Sequence, residues 1–88
     1  MTPSRPSMPM PTGEMTPQQL ADSIAEWAAA QGYRAELAGH ATEFGKITVR
    51  DPGGGRSVAV IPNAHHGKRL RKNQIRYTVR DLNKHWED

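Results

Sequence analysis

Two alternating runs around a glycine-rich turn constrain the fold of this chain more than any other feature. In the run KITVRD, Ile47 and Val49 share one face, and in the run RSVAVIP, Val58 and Val60 share one face. The segment PGGG between the runs is a flexible turn. The two runs are therefore predicted to pair as an antiparallel hairpin.

A helix is predicted before the hairpin, over residues 17–31. Thr16 can cap it, Pro17 suits the first helical position, and Gln19 lies three residues after the cap, as a capping box requires. Gly32 is a natural stop because glycine accepts the left-handed conformation after a last turn. One apolar stripe follows the helical spacing: Leu20, Ile24, Trp27 and Ala28.

A second helix is predicted after the hairpin, from about Asn73 to Trp86, with a buried stripe at Ile75, Val79, Leu82 and Trp86. The short alternating run YRAEL adds a strand before the hairpin, and the eight residues AGHATEFG form either a longer loop or a register break. The order helix, three strands, helix predicts an α+β fold (α-β-β-β-α). It consists of a three-stranded antiparallel sheet with two helices packed on one face.

Residues 1–15 are predicted to be a disordered tail, and residues 16–88 the single domain. The tail holds four of the seven prolines and all four methionines, and almost nothing else that builds a core. Such a composition does not offset the entropy lost on ordering.

Composition excludes several classes of function. The chain has no cysteine, so disulfide frameworks, thiolate zinc sites and cysteine nucleophiles are excluded. No stretch approaches the roughly 20 apolar residues of a membrane span, and the start lacks the pattern of a signal peptide. We therefore expect a cytoplasmic protein with no membrane contact.

Charge is distributed unevenly along this basic chain. The net charge is +3, but residues 1–44 carry −3 and residues 45–88 carry +6. No acidic residue occurs between Pro52 and Arg80. The basic strip of this region consists of Lys68, Arg69, Arg71, Lys72, Arg76 and Arg80. A field of one sign attracts polyanions, so the strip predicts nucleic-acid binding; the alternative is a solvated helix face.

The histidines are the candidate acid–base groups. His65 and His66 are adjacent, and adjacent imidazoles seldom converge on one ion, so no metal and no cofactor is expected. An imidazole beside cations can instead move a proton at a ribose 2′-hydroxyl; the alternative for each of them, and for His40, is a polar loop.

The run VAVIPNAHHGKRLRKNQIRYTVRDL resembles the C-terminal part of toxins of the HicA family. The run AQGY resembles the connection from the first helix to the first strand in that family. The resemblance extends over about residues 17–86. It implies a double-stranded-RNA-binding-domain-like (dsRBD-like) fold, RNA binding by the basic strip, endoribonuclease activity as an mRNA interferase, and neutralisation by a HicB-type antitoxin. The Ala- and Arg-rich composition suggests a bacterial or phage source.

The family's catalytic histidine follows Gly-Ser at the start of the second strand, where this chain has Phe44, Gly45, Lys46 and Ile47. His40 is therefore the candidate acid–base group, with Lys46 stabilising charge on the phosphate.

Three functions follow in order of preference. The first is a HicA-like RNA-binding domain that acts as a metal-independent mRNA interferase or only binds. The second is a catalytically inactive interaction module for a host or antitoxin-like protein. The third is DNA binding by the last helix, which lacks the preceding short helix of a helix-turn-helix.

Overall fold

The computed structural model describes residues 5–64 and 68–88. Its elements follow the chain in the order α1 (Pro17–Ala30), β1 (Arg34–Gly39), β2 (Gly45–Arg50), β3 (Arg56–Ile61), α2 (Lys72–Lys84) and β4 (Trp86–Glu87). The strands form one antiparallel sheet in the order β1-β2-β3-β4. Two helices and one antiparallel sheet make a small α+β domain, as predicted. Within these ranges neither helix has the length and apolar character needed to cross a bilayer.

The predicted hairpin is confirmed as β2 and β3, joined by a turn that Asp51 organises. The Asp51 backbone N–H donates to the Gly55 carbonyl at 2.9 Å, and the Gly55 N–H donates to Asp51 Oδ1 at 2.8 Å. Gly54 has φ +94°, a conformation that glycine adopts without the cost of a Cβ. The turn therefore needs both the carboxylate at its start and the glycine near its end.

The predicted first helix is confirmed, with its capping box. Thr16 Oγ1 accepts from the Gln19 N–H at 3.1 Å, and Gln19 Oε1 accepts from the Thr16 N–H at 2.9 Å. Gly32, with φ +77°, follows the end of the helix. Local capping chemistry thus sets both ends of α1.

The sheet has four strands rather than the predicted three, because α2 ends before Trp86. His85 leaves the helical conformation with φ −105° and ψ 46°, and its N–H still bonds the Asp81 carbonyl. Trp86 then pairs with Ser57 at the edge of β3. In this position the half-buried indole packs edge-on against Tyr33, with ring centroids 5.7 Å apart.

Both helices cover the same face of the sheet, where Ile47, Val49, Ala59 and Ile61 are buried. Val58 and Val60 do share a face, but it is the open face, because the register sets them opposite Thr48 and Lys46. Most of the remaining core side chains come from the helices and from the segment before α2: Leu20, Ala21, Ile24, Ala28, Leu70, Ile75, Val79 and Leu82. Ser57 also faces this core, and its buried hydroxyl donates to the Leu82 carbonyl at 2.5 Å.

Residues 5–15 pack along the domain and are named the N-terminal strap. Met8 joins the core at 6% exposure. Its N–H donates to Asn83 Oδ1 at 2.8 Å, and its carbonyl accepts from Asn83 Nδ2 at 3.0 Å. One amide side chain thus satisfies both backbone groups of Met8. The structure differs here from the expected disordered tail, because buried apolar area and paired backbone groups offset the ordering entropy.

The two ends of the strap are also held. Arg5 Nε lies 2.8 Å from Asp51 Oδ2, and the guanidinium lies 4.5 Å from the centroid of the Trp86 ring. At the other end the Leu70 N–H donates to the Met15 carbonyl at 2.7 Å. The strap therefore runs antiparallel to α2 along its flank.

Candidate nucleic-acid interface

The basic strip begins before α2 and continues along its outer surface. Leu70 is fully buried, whereas Arg69 and Arg71 on either side of it are exposed. Because the buried Leu70 fixes the backbone at this point, the side chains of Arg69 and Arg71 extend into solvent. Lys72 is the first residue of α2, and Lys68 is exposed two residues before the anchor.

The amphipathic pattern of α2 sets the direction of the other strip residues. Ile75, Thr78, Val79 and Leu82 are buried against the sheet, and Thr78 Oγ1 donates to the Val60 carbonyl at 3.0 Å. Arg76 and Arg80 lie one helical turn apart and are exposed. The helix therefore presents them to solvent beside the strap.

Within residues 5–64 and 68–88, none of the six strip cations has a carboxylate oxygen within 4.0 Å. The first turn of α2 contains no acidic residue to oppose the positive end of the helix dipole. Gln74 Oε1 accepts the Arg71 N–H at 2.8 Å, which satisfies one backbone donor without adding charge. The six strip cations are therefore exposed without a direct ion-pair partner in this part of the chain.

An exposed aromatic side chain lies within the strip and was missed in the sequence. Tyr77 is 57% exposed, and the Arg80 guanidinium lies 4.9 Å from its ring centroid. Together with Met10, Asn73 and Arg76 they line a surface depression of about 250 Å³, named the Tyr77 depression. The sequence did contain a signal for this residue. Tyr77 lies outside the apolar stripe of α2, whereas an aromatic residue of the core would lie on it.

The histidine candidates are only partly brought toward the strip. His40 lies in the loop after β1, is exposed, and its Nδ1 accepts from the Thr42 N–H at 3.4 Å. Lys46 is exposed on the open face of the sheet, opposite Ala38 and Val60. No hydrogen bond joins His40 to Lys46 in the described residues. His65 and His66 lie outside the described residues.

The His40 loop and the start of the basic strip lie at the same end of the domain. Asn63 Nδ2 donates to the Thr42 carbonyl at 3.3 Å, which ties the loop to the segment after β3. A depression of about 280 Å³ at this end is lined by Thr16, Pro17, Gln18, Phe44, Asn63, Ala64 and Lys68. The N-terminus of α1, the loop that contains His40 and the first strip cation therefore meet around one concavity.

The open face of the sheet carries a second group of cations. The register sets Arg34 opposite Arg50 and Arg50 opposite Arg56, so three arginines lie side by side across three strands. Arg56 has a distant partner in Glu87 at 3.7 Å. This row was missed because only the strand register brings its members together.

Neither a metal site nor a known relative identifies the function. Among residues 5–64 and 68–88 no group of three or more His, Asp or Glu side chains is arranged to hold a metal ion. Comparisons with protein-family models, with curated proteins and with solved structures found no match to this chain. The charge, exposure and geometry of the residues above therefore carry the case for function.

Proposed function

We propose that this protein is a HicA-like RNA-binding domain whose basic strip neutralises backbone phosphates. The observation that carries the proposal is the set of six exposed cations without a carboxylate partner among the described residues. Phosphates exchange condensed counterions for such side chains, and the released ions drive binding. Alternating charges along a helix face indicate a solvated face with many ion pairs, whereas no acidic residue lies between Arg76 and Arg80.

RNA is the proposed ligand, rather than DNA, for two reasons. RNA in single strands and in A-form duplexes offers phosphates and 2′-hydroxyls, which a basic strip on a small α+β domain can contact without reading base sequence. The residues from Val58 to Leu82 also resemble the HicA family in order and type. The dsRBD-like classification, the cytoplasmic location and a HicB-like antitoxin partner belong to this proposal.

RNA cleavage is a separate part of the proposal and depends on His40. The imidazole of His40 is exposed, and its loop contributes Phe44 to the concavity that Lys68 also lines, so a ribose 2′-hydroxyl of RNA bound at this end of the strip is the proposed proton donor. Lys46 serves as the cation for developing phosphate charge if the RNA reaches the open face. In this form of the proposal the reaction requires no metal.

Paired binding and cleavage gels test the proposal. Purified protein with chelator is incubated with end-labelled single-stranded RNA, double-stranded RNA and duplex DNA across a salt series. We expect an RNA complex whose affinity falls steeply with salt, and Arg71→Glu with Arg76→Glu should lower the slope of log K against log salt by about 2. Cleavage that disappears in His40→Ala makes the protein a nuclease; binding without cleavage makes it a binding module.

A matched control separates the strip from net charge alone. Arg34→Glu with Arg50→Glu changes the charge by the same amount on the open face of the sheet. If both double variants reduce RNA affinity equally, the basic strip is not the binding site. If neither changes it, phosphate neutralisation by the strip is excluded. A saturable protein complex that survives nuclease treatment would favour the interaction module instead.

A further inference from the structure

Tyr77 differs from the other aromatic residues in its exposure. Trp27, Tyr33, Phe44 and Trp86 are half-buried and pack against the core, whereas Tyr77 is 57% exposed. An exposed phenol ring on a helix surface gains nothing from core packing. The Arg80 guanidinium instead lies over the ring, 4.9 Å from its centroid, so a cation of the basic strip covers one face of the π-system.

The surroundings of Tyr77 complete a small site. Asn73 lies one turn before it on α2, and its carboxamide supplies a donor and an acceptor. Met10 of the strap, 43% exposed, forms an apolar wall with a polarisable sulfur atom. Arg76 adds a second cation. The Tyr77 depression thus combines a stacking surface, a hydrogen-bonding amide and phosphate-binding charge in about 250 Å³.

We infer that the Tyr77 depression binds an unstacked base and makes the basic strip select single-stranded RNA over duplex RNA. This inference rests on the proposed function, since the strip must first bring the phosphate backbone to α2. Bases in a duplex are stacked on their neighbours and present only their edges, whereas a base in a single strand can leave its neighbours and stack on an aromatic ring or a guanidinium plane.

The expected contribution is measurable. Removal of one base-stacking aromatic ring typically lowers single-strand affinity by roughly 5- to 150-fold, with little dependence on which base is bound. Phosphate contacts contribute to single-stranded and duplex probes alike. Because removal of the ring leaves the phosphate contacts in place, the change in the ratio of the two affinities in Tyr77→Ala isolates stacking from charge.

The test uses the full chain and three probes of equal length in fluorescence anisotropy: single-stranded RNA, duplex RNA and an abasic ribose-phosphate strand. The wild-type protein should bind the single-stranded RNA more tightly than the abasic strand. Tyr77→Ala should lose at least fivefold affinity for single-stranded RNA and keep its affinity for the other two probes. Tyr77→Phe keeps the ring and should bind like the wild type, and thermal unfolding should show that both variants are folded.

The outcomes separate the two proposals. Equal affinity of the wild type for single-stranded RNA and the abasic strand would overturn the stacking site, as would an equal loss for all probes in Tyr77→Ala. In either case a loss of RNA binding in the Arg71→Glu, Arg76→Glu variant would leave the proposed function intact. No loss in that double variant would overturn the proposed function, and the stacking site with it.

Discussion

Replacing Met8 with alanine should release the N-terminal strap from the domain. The side chain is 6% exposed within the core, and burial of a methionine is worth about 1.5–3 kcal/mol. The two hydrogen bonds to Asn83 contribute about 1 kcal/mol each. We expect Met8→Ala to lower the free energy of unfolding by about 2 kcal/mol. The full cavity cost is not expected, because a terminal segment can detach instead of leaving a void.

Asn83→Ala attacks the same contact from the helix side. It removes both hydrogen bonds to Met8, and the better helix propensity of alanine offsets part of the loss, so we expect a cost of about 1.5 kcal/mol. If either substitution releases the strap, the second has little left to remove. The double variant should therefore be less stable by about 2 kcal/mol rather than by the sum of the single effects.

Urea unfolding followed by circular dichroism measures these differences, and a loss of about 2 kcal/mol corresponds to a lowering of Tm by roughly 8–16 °C in a domain of this size. Met10→Ala is the matched control, because Met10 is 43% exposed and its loss should stay within about 0.5 kcal/mol. A Met8→Ala protein as stable as this control would refute the packing of the strap. Additive effects of Met8→Ala and Asn83→Ala would refute its release as a unit.

Three further predictions concern charge. Arg76→Gln should lower the slope of log K against log salt by about 1 and weaken binding to all RNA sequences alike; sequence-dependent losses would contradict a phosphate contact. The Arg5 guanidinium lowers the pKa of Asp51, so this pair stabilises the fold above the pKa of the unfolded carboxyl, and the stabilisation is lost as the pH falls below about 4. Between pH 6 and pH 3 the urea midpoint of Asp51→Asn should therefore fall less than that of the wild type. Parallel curves for the two proteins would contradict the pairing. Arg50→Thr removes the middle cation of the open-face row and with it the repulsion from Arg34 and Arg56. The substitution should stabilise the fold by roughly 0.5 kcal/mol at low salt and by less at high salt. A loss of stability would show that the three arginines do not repel one another in the folded protein.

The sequence predicted those elements whose stabilising contacts join residues close together in the chain. It did not predict those that depend on contacts between residues far apart in the chain. The capping box of α1 and the turn between β2 and β3 involve residues three or four positions apart, so their chemistry is visible in short segments. The end of α2 is different. Trp86 fits the apolar stripe of a longer helix as well as it fits β4, and its contact with Tyr33 decides between them.

The strap and the sites on the surface show the same limit. The strap is held through a pair of residues 75 positions apart, and composition alone contains no information on such a contact. The basic strip was visible because its cations are close in the sequence. The arginine row on the open face was not visible, since its members share a surface only through the register of three strands.

The strap connects the stability of the domain with its proposed ligand site. Met8 anchors the strap in the core, and two residues later Met10 forms a wall of the Tyr77 depression. If a base binds in that depression as proposed, it contacts the docked strap and not the released strap. Base binding then stabilises the docked strap by the same free energy by which docking stabilises the bound base. Duplex RNA that contacts only the phosphate-binding cations has no such preference. In the proposed complex the N-terminal segment therefore belongs to the binding surface as well as to the core, and the Met8 contact sets the fraction of time for which that surface is complete.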